Sequence, residues 1–286
     1  MERLNEIWNR YDLGRRFNNS LSPNQYNLVH TNIEFFNGNQ WVNIPQTEAM
    51  EKLPKPTFNI IKRITSLFVA SLTSSDTAIY FSPLNNSGIN AAEFATKEVA
   101  NLTEKFKLDY RIREALYDGA VTGDYCAHFF WNKDAVPYGG SLGACRGEIE
   151  MELLDGINVL FGNPNICDVE KQPYIIIVGR EWDSEESARG VSHYRDSRDK
   201  NLYVLMYEKI DGTVHATKAM REKIIYDRVD TGLSRYPIVW GNWERQKNQY
   251  HGRALVTGIV PNQIYINTMM AMVFRNMMTQ SFNKII

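Results

Sequence analysis

HGRALVTGIVPNQIYINTMMAMVFRNMMTQSFNKII, residues 251–286, is the stretch on which the fold turns. It contains one proline and no acidic residue. Its spacing predicts one long helix from Val260 to Asn283, with Pro261 in the first turn, where a missing N–H costs nothing. At 1.5 Å per residue such a rod is about 36 Å long. Ile264, Asn267, Met270, Phe274 and Met277 form one stripe, which Met269, Met272, Val273 and Phe282 widen. A helix that is apolar around much of its circumference needs neighbours on more than one side. Asn262, Gln263, Asn267, Arg275, Asn276 and Gln280 interrupt the run too often for a segment lying in lipid. The stripe is therefore expected to be an interface between identical copies. Arg253, Arg275 and Lys284 give the segment a local positive excess that suits a polyanion or an acidic neighbour.

Upstream, the chain reads as helices and then strands. Leu4, Ile7, Trp8, Tyr11 and Leu13 recur at helical spacing over 2–19. Ser22-Pro23 is expected to cap a second helix that ends near Phe36, with Gly38 closing it. Prolines 45, 54 and 56 mark an extended connection. Phe58 to Leu72 is amphipathic, and 78–81 reads as a short strand. Ala91–Phe106 and Tyr110–Val121 form a helical hairpin, and a strand Tyr125–Trp131 and a Gly-rich loop at 134–145 follow. Glu148, Glu150 and Glu152 alternate with Ile149, Met151 and Leu153, the period of a strand with one face in solvent. Strands are expected at 158–161, 174–181, 202–209, 213–219, 223–227 and 236–240, with a short helix over 183–194. Ile210-Asp211-Gly212 turns a hairpin. The layout is α+β: a body over 1–250, helix-rich to about 132 and β-rich over 146–250, then the long helix of 251–286.

The chemistry in this chain is sparse. The formal net charge of −1 announces no broad field for nucleic acid. Three cysteines, 126, 145 and 167, have no short-spaced pair, which argues against a disulfide framework or a zinc site. No two of the five histidines lie close enough for local metal-ligand spacing. His128, in an apolar strand, reads as a satisfied core histidine. The glutamate row reads as a solvated face. Gly139, Gly140 and Gly143 lack the Gly-Lys-Ser/Thr ending of a phosphate loop. No cofactor, metal or catalytic group is expected. No basic region followed by an apolar run opens the chain, so no secretion signal is expected.

Several pieces, taken in order, resemble the portal proteins of tailed bacteriophages. They are Phe35-Phe36-Asn37-Gly38-Asn39-Gln40-Trp41, Pro56-Thr57-Phe58-Asn59-Ile60-Ile61, Asp118-Gly119-Ala120-Val121-Thr122-Gly123-Asp124-Tyr125, Asp155-Gly156-Ile157-Asn158 with Asn163-Pro164-Asn165, and Tyr236-Pro237-Ile238-Val239 leading to Tyr250-His251-Gly252-Arg253-Ala254 and Gln263-Ile264-Tyr265-Ile266-Asn267. The resemblance implies a wing-like α+β body and a projecting stem helix. It implies a ring, usually of twelve copies, at one capsid vertex. DNA passes through that channel without sequence recognition during packaging and ejection. The implied partners are sister subunits, the terminase large subunit, a head–tail adaptor and the capsid protein; the implied location is the virion, with assembly in the host cytoplasm and no membrane contact. The family's clip, second stem helix, tunnel helix and crown have no counterpart here, so the sequence reads as a partial portal. Two other readings follow from the residues: a metal-dependent phage DNA-processing enzyme using Glu148, Glu150 and Asp155, or a head–tail adaptor or minor capsid protein.

Overall fold

A computed structural model describes residues 1–41, 54–74, 79–83, 85, 88–133, 135, 147–181 and 201–280. The helices are α1 (Glu2–Ser20), α2 (Gln25–Asn37), α3 (Ile60–Leu72), α4 (Ile89–Lys105), α5 (Leu108–Thr122) and α6 (Leu255–Gln280). The strands are β1 (Asp124–Asn132), β2 (Glu148–Leu154), β3 (Val159–Phe161), β4 (Tyr174–Arg180), β5 (Leu202–Ile210), β6 (Thr213–Met220), β7 (Ile224–Asp230) and β8 (Ile238–Asn242). This is an α+β architecture. The expected helix over 183–194, the Gly-rich loop and Lys284 lie outside the described residues.

The strands make two antiparallel sheets, ordered β2-β1-β8 and β3-β4-β5-β6-β7. The run Ile175-Ile176-Ile177-Val178 on β4 explains how they stack. It is apolar without alternation because both faces of the larger sheet are covered. Ile175 and Ile177 join Val159, Phe161, Tyr207 and Val214 against Cys126, Ile238 and Tyr250 of the smaller sheet's side. Ile176 and Val178 face the other way, with Leu202, Val204 and Met206, onto Ile7, Trp8 and Tyr11 of α1. The body is thus helix on sheet on sheet. Glu208, one step beyond Met206 on the α1 side, accepts from Arg3, from Arg10 at 3.2 Å and from Arg228 at 2.9 Å. The β5–β6 turn is the expected two-residue hairpin. Ile210 pairs with Thr213, and Asp211 and Gly212 both have positive φ, +51° and +88°, as the tight turn that matches strand twist requires.

Several elements differ from the sequence reading, three of them in ways that a contact explains. Asn24, rather than Ser22, caps α2. Its side-chain oxygen accepts from Tyr26 N at 3.0 Å and Asn27 N at 3.4 Å. At the other end Gly38 (φ +98°) closes the helix as expected; its N–H donates to Phe35 O and that of Asn39 to Glu34 O. Residues 79–81 form no strand. The Phe81 N–H donates to Thr96 Oγ1 on α4 instead of to a ladder, and Tyr80 lies open to solvent. The long helix starts at Leu255, so Pro261 falls inside it rather than in its first turn. Tertiary contacts override the local weakness of Gly258 and Pro261. Val256 is buried against Phe35, Ile61 and Val121, and Thr257 Oγ1 accepts from Asn32 Nδ2 at 2.8 Å.

The glutamate row of β2 is engaged rather than merely solvated. Glu152 accepts from His128 Nδ1 at 2.8 Å, Glu150 from Asn132 Nδ2 at 2.7 Å, and Glu148 pairs with Lys105. On the opposite face Ile149 and Trp131, paired across the ladder, are exposed. His128 is a satisfied core histidine, since its Nε2 also meets the Tyr207 hydroxyl at 2.8 Å.

Candidate assembly surface and the junctions that aim it

Two buried polar junctions fix where α6 leaves the body. The first centres on Asp124, at the start of β1 and 1% exposed. Its Oδ1 accepts from Asn242 Nδ2 at 2.6 Å and from Gly252 N at 2.7 Å, and its Oδ2 accepts from His251 Nδ1 at 2.6 Å. His251 Nε2 sits 2.9 Å from Asn18 Oδ1 on α1, and the Tyr250 hydroxyl donates to the same oxygen at 3.1 Å. The Tyr250 ring stacks on Phe161 with centroids 4.6 Å apart. Burial pushes the Tyr250 hydroxyl well above its ordinary pKa, so it stays a donor. Gly123 and Gly252 make this approach possible. A Cβ on Gly123 would lie 2.6 Å from Gly252 O, and Gly123 also has φ +101°. Gly156 clears Asp124 in the same way, with 2.6 Å between a Cβ there and Asp124 Cβ.

The second junction lies one third of the way along α6. Gln263 reaches the first turn of α3. Its Oε1 accepts from Ile60 N at 3.1 Å and Ile61 N at 3.4 Å, and its Nε2 donates to Phe58 O at 2.7 Å and Asn267 Oδ1 at 2.9 Å. Asn267 Nδ2 donates to Gln40 Oε1 at 2.7 Å, and Gln40 Nε2 donates to Phe35 O at 3.0 Å. A helix start has backbone N–H groups with no partner within the helix. Here a side chain from another helix satisfies two of them, beside Asn59, which accepts from Lys62 N.

These junctions gather segments far apart in sequence. Gly123-Asp124, Asp155-Gly156 and His251-Gly252 meet at the first. Gln40, Phe58–Ile61 and Gln263–Asn267 meet at the second. Sequence reasoning picked out these motifs without seeing what joins them. The available signal was two amides one helical turn apart, Gln263 and Asn267, on an otherwise apolar face.

Beyond Ala271 the helix loses most of its shelter. Ala271 is the last buried residue of α6. Met272, Met277 and Met278 are 52%, 57% and 70% exposed, and Met269 and Val273 stand open beside them. The expected interface stripe therefore splits. Ile264 packs on the Phe35–Ile61 cluster of the same chain. Asn267 is 0% exposed and belongs to the interior of the chain, because its amide completes the second junction; it presents no surface for an interface. Met270 borders a groove with Phe58, Ile60, Arg63 and Ile266, and Phe274 lies over Phe58 with ring centroids 6.3 Å apart. Met277 alone of the five is largely open. Arg253, in the lead-in to α6, and Arg275, towards its far end, are both exposed and well apart. Among the described residues no helix is long and apolar enough to cross a membrane.

The carboxylates considered for metal chemistry are dispersed. Glu148 and Glu150 hold Lys105 and Asn132, and Asp155 precedes the 156–158 turn, with its Oδ2 accepting from Asn158 Nδ2 at 3.5 Å. Among the described residues no three His, Cys, Asp or Glu side chains group as a metal site. Burial, together with the nearby Asp155 and Glu114 charges, pushes the Asp118 carboxyl up to about 6. The native state then binds a proton that the unfolded chain releases near pH 4, so stability falls as pH rises from about 4 to 6. Asp118→Asn is expected to remove that dependence. It should raise stability at pH 7 by roughly 1–2 kcal/mol, after discounting for the solvent-facing part of the group. Urea melts of both proteins between pH 4 and 7 check this; parallel profiles would refute it.

Neither a protein-family model nor a curated protein matches this chain.

Proposed function

We propose that this chain is a subunit of a ring-shaped channel of the tailed-phage portal kind, whose α6 is the stem that packs against sister copies. The observation that carries the reading is the division of α6. Its inner part is locked into the body by buried polar contacts, while its outer part presents methionine and valine side chains to solvent. A contiguous exposed apolar surface of this kind marks an interaction site. Cyclic symmetry closes such contacts between copies without leaving an open end. Methionine suits them, since it adapts to irregular neighbours.

The reading extends to function. The ring conducts double-stranded DNA at a capsid vertex and meets a terminase, a head–tail adaptor and the capsid protein. The near-neutral charge supports passage rather than grip, since sequence-independent DNA binding comes from neutralising phosphates with Lys and Arg. In this proposal the protein is structural, works in the virion and assembles in the host cytoplasm.

Native mass measurement and electron microscopy of the purified chain test it. A ring with a central hole is the expected image. Met272→Asp with Met277→Asp should weaken association at least tenfold, because carboxylates would be buried between copies. Both positions are exposed in the single subunit, so its melting temperature should hardly change. A monomeric wild-type protein, or assembly indifferent to both aspartates, would rule the reading out.

A further inference from the structure

The apolar contacts of α6 do not by themselves define its axial position. Val256 and Val260 lie one turn apart on the face that meets Phe35 and Ile61, and Ile259 and Ile264 flank them. A slip of four residues, about 6 Å, would exchange similar side chains in the same cluster. The amides do not exchange so easily. A slip outward sets Ile259 where Gln263 stands and leaves Ile60 N, Ile61 N and Phe58 O without its amide. A slip inward sets Ala271 where Asn267 stands and leaves Gln40 Oε1 without its donor. Gln40, Gln263 and Asn267 are all at most 1% exposed, so water does not compensate in place.

We propose that Gln40, Gln263 and Asn267 form a register lock, which selects one axial position of α6 among positions one helical turn apart. Isolated buried amides set register in the same way in paired helices, where apolar side chains tolerate slippage. Gly258 and Pro261, inside the inner turns of α6, supply the place where the helix would unwind to take up the displaced length. The lock acts within one subunit and does not depend on whether α6 meets a sister copy.

Thiol cross-linking reads the register directly, because Phe58 faces Phe274, beyond Pro261, with ring centroids 6.3 Å apart. In a full-length background with Cys145→Ser and Cys167→Ser, Phe58→Cys is paired in turn with Phe274→Cys, Met270→Cys or Met278→Cys. The last two report a slip of one turn outward or inward. With the amides intact, the Phe274 pair should cross-link at least tenfold faster than either alternative. Gln40→Leu with Asn267→Leu removes the amide pair that opposes the inward slip while Gln263 keeps Phe58 O, Ile60 N and Ile61 N, and should cut the preference over the inward pair at least fivefold while the circular dichroism stays native. If the double variant does not fold, Asn267→Ser, which is too short to hold Gln40, gives the same readout. An unchanged preference in whichever variant folds would overturn the proposal and leave the amides as ordinary satisfied core groups.

Discussion

Asp124→Ala is expected to destabilise the protein by about 4 kcal/mol, since removing a buried carboxylate leaves every donor around it without its acceptor. The stranded groups are the His251 ring, the Asn242 amide and the Gly252 N–H, each of which donates to this carboxylate. They belong to β8 and to the lead-in of α6, so the effect reaches both. For a chain of this size the loss corresponds to a fall in melting temperature of roughly 10 °C. Asp124→Asn keeps an oxygen for one or two of these donors and should recover part of the loss. Thermal melts of the three proteins at pH 7 measure the ranking. A melting temperature for the alanine variant within 2 °C or so of wild type would show that the junction carries little of the stability.

A second large effect is expected at Phe35→Ala. Phe35 is buried at the centre of the cluster with Ile61, Val121 and Val256, where α2, α3, α5 and α6 meet. Emptying it should cost about 3–5 kcal/mol in lost contacts and residual cavity. Its carbonyl also accepts from Gln40, which in turn accepts from Asn267, so the cavity opens beside the amide junction. The expected signature is local. Hydrogen exchange should accelerate in α3 and the inner half of α6 more than in β4 or β5, whose core lies against α1 and the smaller sheet. Uniform acceleration across the chain would mean that the helical cluster and the sheets unfold as one unit.

Much of this fold was legible because its periods are clean. The alternation at 148–153 places β2, the strand expected at 174–181 is β4, and Asp211-Gly212 makes the hairpin turn. What the sequence concealed were contacts that depend on distant partners. Nothing local to Gln263 says that it caps α3, and nothing near His251 says that it meets Asp124 and Asn18. The start of α6 was placed late for the same reason. Gly258 and Pro261 read as an entrance, and only the burial of Val256 in the body makes them interior. The stripe on α6 was read by spacing, which puts Asn267 in line with Met277 but cannot tell a satisfied amide from an exposed apolar group. The glutamates of β2 likewise looked like a wet face until Lys105, Asn132 and His128 were seen to reach them.

The order β2-β1-β8 has a consequence for synthesis on the ribosome. β1 lies in the middle of its sheet, yet β8, one of its two partners, belongs to a much later part of the chain. Until β8 has emerged, the nascent polypeptide carries one unpaired edge of β1, and the Asp124 carboxylate waits without most of its donors. Pairings between such remote segments form slowly and expose sticky intermediates. This protein should therefore depend on chaperones during translation, and early arrest of its synthesis should yield aggregates rather than a stable fragment.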